Sequence, residues 1–543
     1  MPTASLFYNT GALGHCLGLP VSSISAVFVR IRLVFASVSV LLFLLPMVAG
    51  ATTLNRPFPQ HLVYAAGSIR PSHFTQAQQD QHVRDFYTYW KSRYLVAAGT
   101  NAAGKALYRV AFAHGSPVTV SEGQGYGMVV MALMAGHDPD AQRLFDGLWH
   151  FSRQYPSGVD PHLMSWKVQG GVVVDGNDSA FDGDVDIAYG LLLAHEQWGS
   201  QGQVNYQAEA RQVMDAILVS TIGQASFLPK LGDWTQDDGG LYNQYTPRSS
   251  DFMPAHFRAF AKASGNPVWQ KVIGRSQAVI DSIQTHYSPV TGLLPDFIID
   301  CQSLDLCRPA YSGFLEGSTD GAYHYNAGRA PWRIGLDALL YNDAKSKAQT
   351  LKMVRWLAST SSGSAQNIKA GYQVDGLPIG DYSSSFFMAP VGVGAMLEAS
   401  QQDFLNDIYT LVYKRHEGYY EDSVNLLSLL VLTGNYWRPG SAPDRDETGV
   451  TASQPLVVQT SRFSDWGAAY CALVTVSNAN AVAVDWQVGL AAEGDVYRVW
   501  NASYTQTGKK VVAQGLDWNN LLPPHQSLDF GFCAKRPVAA VPH

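Results

Sequence analysis

Twelve stretches of helical periodicity, joined alternately by short and long connections, constrain the fold of this chain more than any other feature. Short connections, such as residues 265–267 (GNP), make the helices on either side antiparallel neighbours. We therefore predict six helical pairs in an all-α (α/α)6 barrel with an inner and an outer ring. The helical stretches are at residues 75–96, 122–135, 139–154, 183–198, 204–219, 251–264, 266–286, 331–342, 344–360, 385–399, 402–413 and 421–434.

The long connections, at residues 155–182, 220–250, 287–330 and 361–384, all fall at the same end of such a barrel. The second helix and every later even-numbered helix begin at that end. Functional side chains concentrate on loops that a rigid scaffold holds in place. This end of the barrel is where we expect the chemistry.

The periodicity changes after Trp437. Residues 439–455 are rich in Pro, Gly, Asp, Ser and Thr, which is typical of a linker. Residues 456–537 then alternate apolar and polar side chains in short runs, which predicts a β-sandwich. We expect the helical domain at residues 52–438, ahead of the linker and the sandwich.

Residues 1–51 have the pattern of a signal peptide. Arg30 and Arg32 precede an almost wholly apolar run, residues 33–48, and residues 49–51 (AGA) resemble a cleavage site. The run is shorter than the ~20 residues that span a bilayer. We therefore expect a secreted, extracellular protein, with a membrane anchor as the alternative. The long segment before Arg30 also suggests a translation start downstream of Met1.

Four cysteines outside the expected signal peptide fall into two pairs, Cys301 with Cys307 and Cys471 with Cys533. In an exported protein such pairs are expected to form disulfides. Neither pair is accompanied by His or further Cys at the spacing of a zinc site.

The formal net charge of −7 and the lack of basic runs argue against a nucleic-acid partner. Aromatic residues are plentiful, with 13 Trp and 27 Tyr in 543 residues. This surplus fits a protein that stacks on sugar rings, although a large aromatic core explains it equally well.

Residues 121–127 (SEGQGYG) stand at the start of the second helix. Ser121 as an N-cap and Glu122 beside the helix dipole would explain the first two residues. Three glycines at alternate positions nevertheless weaken a helix. They favour a functional interpretation, in which another group approaches this backbone closely.

Residues 175–186 (DGNDSAFDGDVD) lead into the fourth helix. A calcium loop starting at Asp182 would need Gly at its sixth position and Glu at its twelfth, where the chain has Ile187 and Leu193. A solvated acidic cap is the simplest interpretation. Because the helix that follows is strongly apolar, we favour a functional role for these carboxyl groups.

Glu316, in the connection 287–330, is a third acidic candidate at the same end. Carboxyl groups on separate loops suit glycoside hydrolysis with inversion. One protonated carboxyl gives its proton to the leaving oxygen, and an ionised carboxylate activates a water on the opposite face of the sugar.

The helical region resembles glycoside hydrolase family 8, from the first helix to Trp437. The family implies an (α/α)6 barrel, hydrolysis with inversion, and neither a catalytic metal nor a cofactor. The resemblance rests on residues 121–127 (SEGQGYG), 163–166 (LMSW), 180–188 (AFDGDVDIA), 249–254 (SSDFMP) and 325–333 (YNAGRAPWR), in this order.

Carried over by position, the resemblance implies that Glu122 is the general acid. Asp182 would bind the sugar at the cleavage site and help to distort it, and Arg329 would keep neighbouring acidic groups ionised. The expected substrate-binding residues are Trp166, Trp234, Arg329, Asp251 and Tyr382.

Two positions depart from the family. Phe181 replaces the usual Ser or Thr, which could change the packing around Asp182. Asn326 stands where many members carry an Asp as the base, and an amide cannot take the proton. In a branch of the family with Asn here, the base is a Glu in the preceding long loop. This implies Glu316 as the base, with Asp320 as the alternative.

The sandwich resembles carbohydrate-binding module family 2. Trp466, Trp500 and Trp518 would form a flat face that stacks on glucan chains, whereas Trp486 would lie in the core. The alternative is that all four are core residues. The resemblance rests on residues 465–466 (DW), 484–486 (VDW), 499–501 (VWN), 517–519 (DWN) and 528–532 (LDFGF).

These resemblances predict a secreted endo-β-1,4-glucanase that hydrolyses cellulose or mixed-linkage β-glucan such as lichenan. We expect a monomer without a protein partner. A chitosanase with the same mechanism is one alternative, because the Asn-bearing branch includes chitosanases. A polysaccharide-binding protein that has lost hydrolysis is another, and Asn326 is the feature that permits it.

Overall fold

The computed structural model describes residues 54–440, 456–478, 484–516, 519–523 and 526–537. The expected signal peptide, most of the expected linker and Trp518 lie outside the described residues. Within these ranges, no helix is both long enough and apolar enough to cross a bilayer.

All twelve predicted helices are present. The largest difference concerns the tenth helix, predicted over residues 385–399, whose regular part is shorter and is preceded by a 3₁₀ turn, Ser385–Phe387. The helices are α1 (Gln76–Tyr94), α2 (Ser121–Met134), α3 (Ala141–Gln154), α4 (Phe181–Trp198), α5 (Tyr206–Ala216), α6 (Pro254–Ser264), α7 (Val268–His286), α8 (Ala330–Tyr341), α9 (Ala344–Thr360), α10 (Ala389–Ala395), α11 (Gln402–Val412) and α12 (Tyr419–Leu432).

The even-numbered helices form a closed inner ring, in which each packs against the next and α12 packs against α2. The odd-numbered helices lie outside this ring. Because the inner helices are surrounded by other helices, most of their residues are buried. In α2, every residue is buried except Glu122. The predicted (α/α)6 barrel is confirmed.

The three alternating glycines of α2 allow three neighbours to approach its backbone. A Cβ atom on Gly125 would lie 2.6 Å from the Cβ of Asp186 in α4, and one on Gly127 would lie 2.7 Å from Val110. A Cβ atom on Gly123 would lie 2.6 Å from the hydroxyl of Tyr419 in α12. The close approach expected from the sequence therefore occurs, and it brings the N-terminal parts of α4 and α12 against that of α2.

Short strands lie in the connections of the barrel, and the sequence analysis missed them because most are too short to show a period of two. These strands are β1 (Leu95–Thr100), β2 (Ala106–Val110), β3 (Val118–Val120), β4 (Lys167–Gln169), β5 (Val172–Val173), β6 (Ile298–Ile299) and β7 (Arg308–Pro309). The pair β1 and β2 forms a hairpin, and β3, β4 and β5 form an antiparallel sheet. The pair β6 and β7 forms a second hairpin, whose loop is closed by the Cys301–Cys307 disulfide.

The C-terminal region consists of antiparallel sheets, as predicted. Its strands are β8 (Val457–Asp465), β9 (Ala469–Ser477), β10 (Val484–Asp485), β11 (Gln487–Ala491), β12 (Asp495–Trp500), β13 (Ser503–Thr507), β14 (Lys510–Gln514), β15 (Leu521–Leu522) and β16 (Ser527–Lys535).

One sheet of this region has the order β12-β16-β9-β8, and another has the order β11-β14-β13. Trp486 is buried between them and stacks on Phe530, as expected for a core residue. Cys471 and Cys533 lie opposite each other on β9 and β16 and form the expected disulfide.

Candidate active site

A groove lies where the first residues of α2, α4 and α12 meet the turn before α8. One part of the groove adjoins Glu122 and Asp182, and a second part shares Trp166, Arg248 and Glu316 with the first and continues to Trp234. The groove therefore lies at the barrel end where the long connections were expected to carry the chemistry. The first part is lined by Val120, Ser121, Glu122, Trp166, Ala180, Asp182, Arg248, Glu316, Tyr325, Asn326 and Tyr420.

Arg329 connects the acidic side chains of the groove. Its side chain is only 1% exposed. Its Nη1 donates hydrogen bonds to Glu122 Oε2 at 2.9 Å and to Asp182 Oδ2 at 2.7 Å. Its Nη2 donates to Ser250 Oγ at 2.8 Å and to Asn326 Oδ1 at 3.2 Å. One guanidinium thus fixes the relative positions of residues from four segments.

Glu122 is the candidate acid, and its surroundings favour the protonated form. Burial raises the pKa of Glu122, Arg329 opposes this rise and the charge of Asp182 adds to it, with the result that the pKa is raised to about 7. The hydroxyl of Tyr419 donates a hydrogen bond to Glu122 Oε1 at 3.2 Å. A protonated carboxyl is therefore available in the groove close to neutral pH.

Asp182 has the opposite charge state. Burial alone would raise its pKa, but the Arg329 and Arg248 guanidinium groups outweigh burial and hold the pKa of Asp182 below its usual value. Arg248 Nη1 lies 3.4 Å from Asp182 Oδ2. The neighbouring Phe181 is fully buried in the core, so its departure from the family pattern does not put it in the groove.

Glu316 lies in the same groove with its side chain 50% exposed. Asn326 Nδ2 donates a hydrogen bond to Glu316 Oε2 at 2.8 Å. The other carboxylate oxygen, Oε1, lies 3.7 Å from Arg248 Nη2. A water in the groove can therefore reach this carboxylate, which the amide of Asn326 holds in place.

Asp320, the alternative base, has a structural role instead. Its carboxylate is buried and accepts hydrogen bonds from the backbone N–H groups of Leu315, Glu316 and Gly317 at 2.7, 3.1 and 2.9 Å. It is not among the residues that line the groove. Asp320 therefore fixes the turn that carries Glu316.

Asn326 connects Arg329 to Glu316, since its oxygen accepts from the first and its nitrogen donates to the second. The backbone N–H of Asn326 donates a hydrogen bond to the buried carboxylate of Asp296. This carboxylate also accepts hydrogen bonds from the backbone N–H groups of His324 and Ala327. Burial raises the pKa of Asp296 to about 7.

Asp251 does not occupy the position expected of a substrate-binding residue. It is fully buried in the 3₁₀ turn before α6, and it does not line the groove. Burial raises its pKa to about 7, although the charge of Arg248 opposes the rise. Asp251 is therefore enclosed and not among the groove-lining residues, which differs from the substrate-binding position expected for it.

The aromatic residues expected to bind substrate are accessible. Trp166 and Trp234 are partly exposed and line the groove. Trp166 Nε1 donates to the carbonyl of Asp175 at 2.8 Å, which fixes the orientation of the ring. Tyr382 is 54% exposed, and its hydroxyl lies 3.1 Å from that of Tyr325, a residue that lines the groove.

Sequence reasoning missed Arg248, Asp296, Tyr419 and Tyr420. Arg248 immediately precedes the segment 249–254, and the two tyrosines open α12. Arg248, Tyr419 and Tyr420 could have been found from the rule that every even-numbered helix begins at the functional end. No sequence signal distinguishes Asp296 from other loop carboxyl groups.

The chain matches glycosyl hydrolases family 8 over residues 73–434. The protein belongs to this family. A β-glucanase of Niallia circulans is 42% identical over 396 residues, which are 73% of this chain and 94% of that protein. An endoglucanase of Bacillus sp. strain KSM-330 is 37% identical over 71% of this chain and 82% of its own.

A solved structure is similar to this chain as well. The apo structure of a β-1,3-1,4-glucanase from Paenibacillus sp. X4 is 41% identical and superposes with a TM-score of 0.67, covering 71% of this chain and all of that one. The protein is therefore a glycoside hydrolase of the endoglucanase and β-glucanase type. Among the described residues, no group of three His, Cys, Asp or Glu side chains could hold a metal ion.

The C-terminal sheets of this family 8 enzyme match a cellulose binding domain over residues 457–542. Trp466 is 53% exposed, and Trp500 is partly exposed and packs over Gly531, where a Cβ atom would lie 2.0 Å from its ring. Phe463, which the sequence analysis did not single out, is 61% exposed and lies edge-on to Trp500 with ring centroids 6.1 Å apart. The alternative that all the tryptophans are core residues is wrong for Trp466.

Proposed function

We propose that this protein is a secreted endo-β-1,4-glucanase that hydrolyses cellulose or mixed-linkage β-glucan with inversion of configuration. Glu122 is the general acid and Glu316 the general base. One observation carries this assignment: the two carboxyl groups line one groove, joined through Arg329 and Asn326, but the side chain of Glu122 is only 17% exposed while that of Glu316 is 50% exposed.

The reaction follows from these two environments. Glu122 transfers its proton to the oxygen of the leaving sugar as the glycosidic bond breaks. Glu316 takes a proton from a water, whose oxygen bonds to the anomeric carbon on the opposite face. The ionised Asp182 accepts hydrogen bonds from the sugar at the point of cleavage. Glu122 is left ionised and Glu316 protonated, and solvent restores both.

The walls of the groove suit a polymer of neutral sugars. Trp166 and Trp234 offer apolar ring faces in the groove, Tyr382 is exposed beside the lining residue Tyr325, and the groove extends past Glu316 to Trp234 instead of ending at the carboxyl groups. The names of the relatives, a β-glucanase and an endoglucanase, favour β-glucan over chitosan. Trp466, Trp500 and Trp518 would hold the polymer on the C-terminal module.

Export and domain organisation are part of the same proposal. The two disulfides suit an oxidising, extracellular environment. We assign residues 1–51 to a signal peptide, 52–438 to the catalytic barrel, 439–455 to a linker and 456–537 to the carbohydrate-binding module. One chain supplies the acid, the base and the groove, so a monomer suffices for the reaction.

The release of reducing ends from carboxymethylcellulose, lichenan and chitosan tests the substrate. We expect hydrolysis of the first two polymers, with a rapid fall in viscosity because internal bonds are cut. Hydrolysis of chitosan alone would establish the chitosanase alternative. If none of the three polymers is hydrolysed, the alternative of a polysaccharide-binding protein without hydrolytic activity would stand.

Binding of Trp500→Ala to insoluble cellulose tests the module. We expect the affinity to fall about tenfold or more, because a partly exposed Trp contributes strongly to such a contact. Tyr504→Ala is the matched control, since Tyr504 is 38% exposed and lies on β13 in the other sheet. Hydrolysis of soluble lichenan should be unchanged in both variants. Equal binding by Trp500→Ala and the wild type would contradict the assigned surface.

A further inference from the structure

Phe112, an exposed aromatic residue outside the lining of the groove, lies beside the candidate acid. It is 42% exposed and follows β2. Its ring stacks on that of Tyr419, with centroids 4.7 Å apart and planes only 11° from parallel. The hydroxyl of Tyr419 in turn donates to Glu122. Two parallel rings therefore extend outward from the acid.

The backbone around Phe112 is fixed to the same helical turn that carries Glu122. The side-chain oxygen of Gln124 accepts the N–H of Val110 at 2.8 Å, and the N–H of Ala111 donates to the carbonyl of Tyr94 at 2.8 Å. Gln124 Nε2 also donates to the carbonyl of Tyr108 at 3.2 Å. The position of Phe112 relative to the acid is thus set by hydrogen bonds on both sides.

Tyr419 supports the ring from beneath. It is buried, and Gly123 leaves space for its hydroxyl at the start of α2. Because one face of Phe112 is covered by Tyr419, the accessible part of the ring is presented as a flat apolar surface. Such a surface suits the apolar face of a glucosyl ring, in the same way as the tryptophans of the groove.

The direction of the substrate follows from the two carboxyl groups. Trp234 shares its part of the groove with Arg248 and Glu316 and is therefore on the side of the base. Phe112 is connected to Glu122, which gives its proton to the leaving sugar. We propose that Phe112, supported by Tyr419, forms a binding site for a glucosyl unit on the leaving-group side of the cleaved bond. This inference rests on the proposed function.

Kinetics of Phe112→Ala on two matched substrates test the site. On cellohexaose, which places sugars on both sides of the cleaved bond, we expect KM to rise about tenfold, a factor typical of a lost aromatic contact. Cleavage of reducing-end-labelled cellohexaose should also shift toward the reducing end. On 2,4-dinitrophenyl cellotrioside, which has no sugar on the leaving-group side, KM and kcat should stay within about twofold of the wild type.

Three further measurements separate binding from a structural role. Phe112→Trp, which keeps a flat ring, should retain the wild-type KM on cellohexaose. Tyr287→Ala, which removes another exposed aromatic residue that does not line the groove, should have no effect. The decline of activity at alkaline pH should be the same in Phe112→Ala as in the wild type, because Glu122 keeps its neighbours.

A wild-type KM and cleavage pattern in Phe112→Ala would overturn the site and leave the proposed function intact. An equal loss of kcat/KM on cellohexaose and on 2,4-dinitrophenyl cellotrioside would also overturn the site, since Phe112 would then act through Glu122. A wild-type enzyme that cleaves no glucan would overturn the proposed function as well.

Discussion

The start of α2 and the long connection before α8 each contribute one carboxyl group to the groove, in opposite ways. Glu122 belongs to a helix that neighbours enclose on every side, and its side chain is 17% exposed. Glu316 belongs to an irregular turn that the buried Asp320 holds through backbone hydrogen bonds, and its side chain is 50% exposed. In the proposed mechanism, the same functional group therefore serves as proton donor or proton acceptor according to how much water the scaffold admits.

The two regions are connected by a short chain of hydrogen bonds. Arg329 donates to Glu122 and to Asn326, and Asn326 donates to Glu316. The Asn at this position therefore holds the carboxylate that we propose as the base, which another segment supplies. The comparison also shows how the acid and base can be disturbed separately.

Replacement of the acid should have the largest effect. Glu122→Gln cannot give a proton, so the hydrolysis rate of lichenan should fall on the order of 10⁴-fold. A dinitrophenyl glycoside, whose leaving group needs no proton, should retain most of its rate. Glu209→Gln, at a partly exposed position of α5, is the matched control and should behave as the wild type. Full activity on lichenan in Glu122→Gln would refute the acid assignment.

Replacement of the base should have the next largest effect. Glu316→Ala cannot activate water, so the rate should fall about 10³-fold on lichenan and on the dinitrophenyl glycoside alike. Azide, which needs no base, should restore turnover and give a glycosyl azide of inverted configuration. Asp305→Asn, an exposed carboxyl in the same connection, should have no effect. A near-normal rate in Glu316→Ala would place the base elsewhere.

The pH dependence should follow the acid. Because the pKa of Glu122 is raised to about 7, its carboxyl is protonated below this pH and ionised above it. We expect kcat/KM for lichenan to fall about tenfold per pH unit above about pH 7. The kcat/KM for the dinitrophenyl glycoside should show no such fall, because its leaving group needs no proton. A lichenan rate that stays constant up to pH 9 would contradict the environment described for Glu122.

Asp320→Asn should have the smallest effect. The amide keeps one acceptor oxygen and loses the other, so one part of the turn that positions Glu316 is released. We expect kcat on lichenan to fall about tenfold, because small displacements of a catalytic group are costly, while KM is unchanged. The alkaline decline of activity should stay where it is, since Glu122 is not touched. A rise in KM with an unchanged kcat would contradict the positioning role.

The fold was largely predictable because helical periodicity is a repeated signal, and the alternation of short and long connections set the order of the rings. The short α10 was the exception. Its sequence contains Gly392 and Gly394, which weaken a helix, and a 3₁₀ turn replaces its expected first turn.

The site was predictable mainly through the resemblance to the family. Glu122, Asp182 and Arg329 lie in such segments, and the structure brings them together through hydrogen bonds. Burial depends on three-dimensional packing, so sequence could not show that Asp251 is enclosed. Phe112 also escaped notice, because its ring is linked to Glu122 through Tyr419, more than 300 residues later in the chain.

The anomeric configuration of the first product tests the central claim most directly. Proton NMR in the first minutes of hydrolysis of a β-1,4-linked oligosaccharide distinguishes the two anomers before they interconvert. Water activated by Glu316 attacks the face opposite the bond that Glu122 helps to break, so the α-anomer should appear first. A β-anomer that accumulates first would mean that the configuration is retained, and it would contradict the assignment of Glu122 and Glu316 as acid and base of a single displacement.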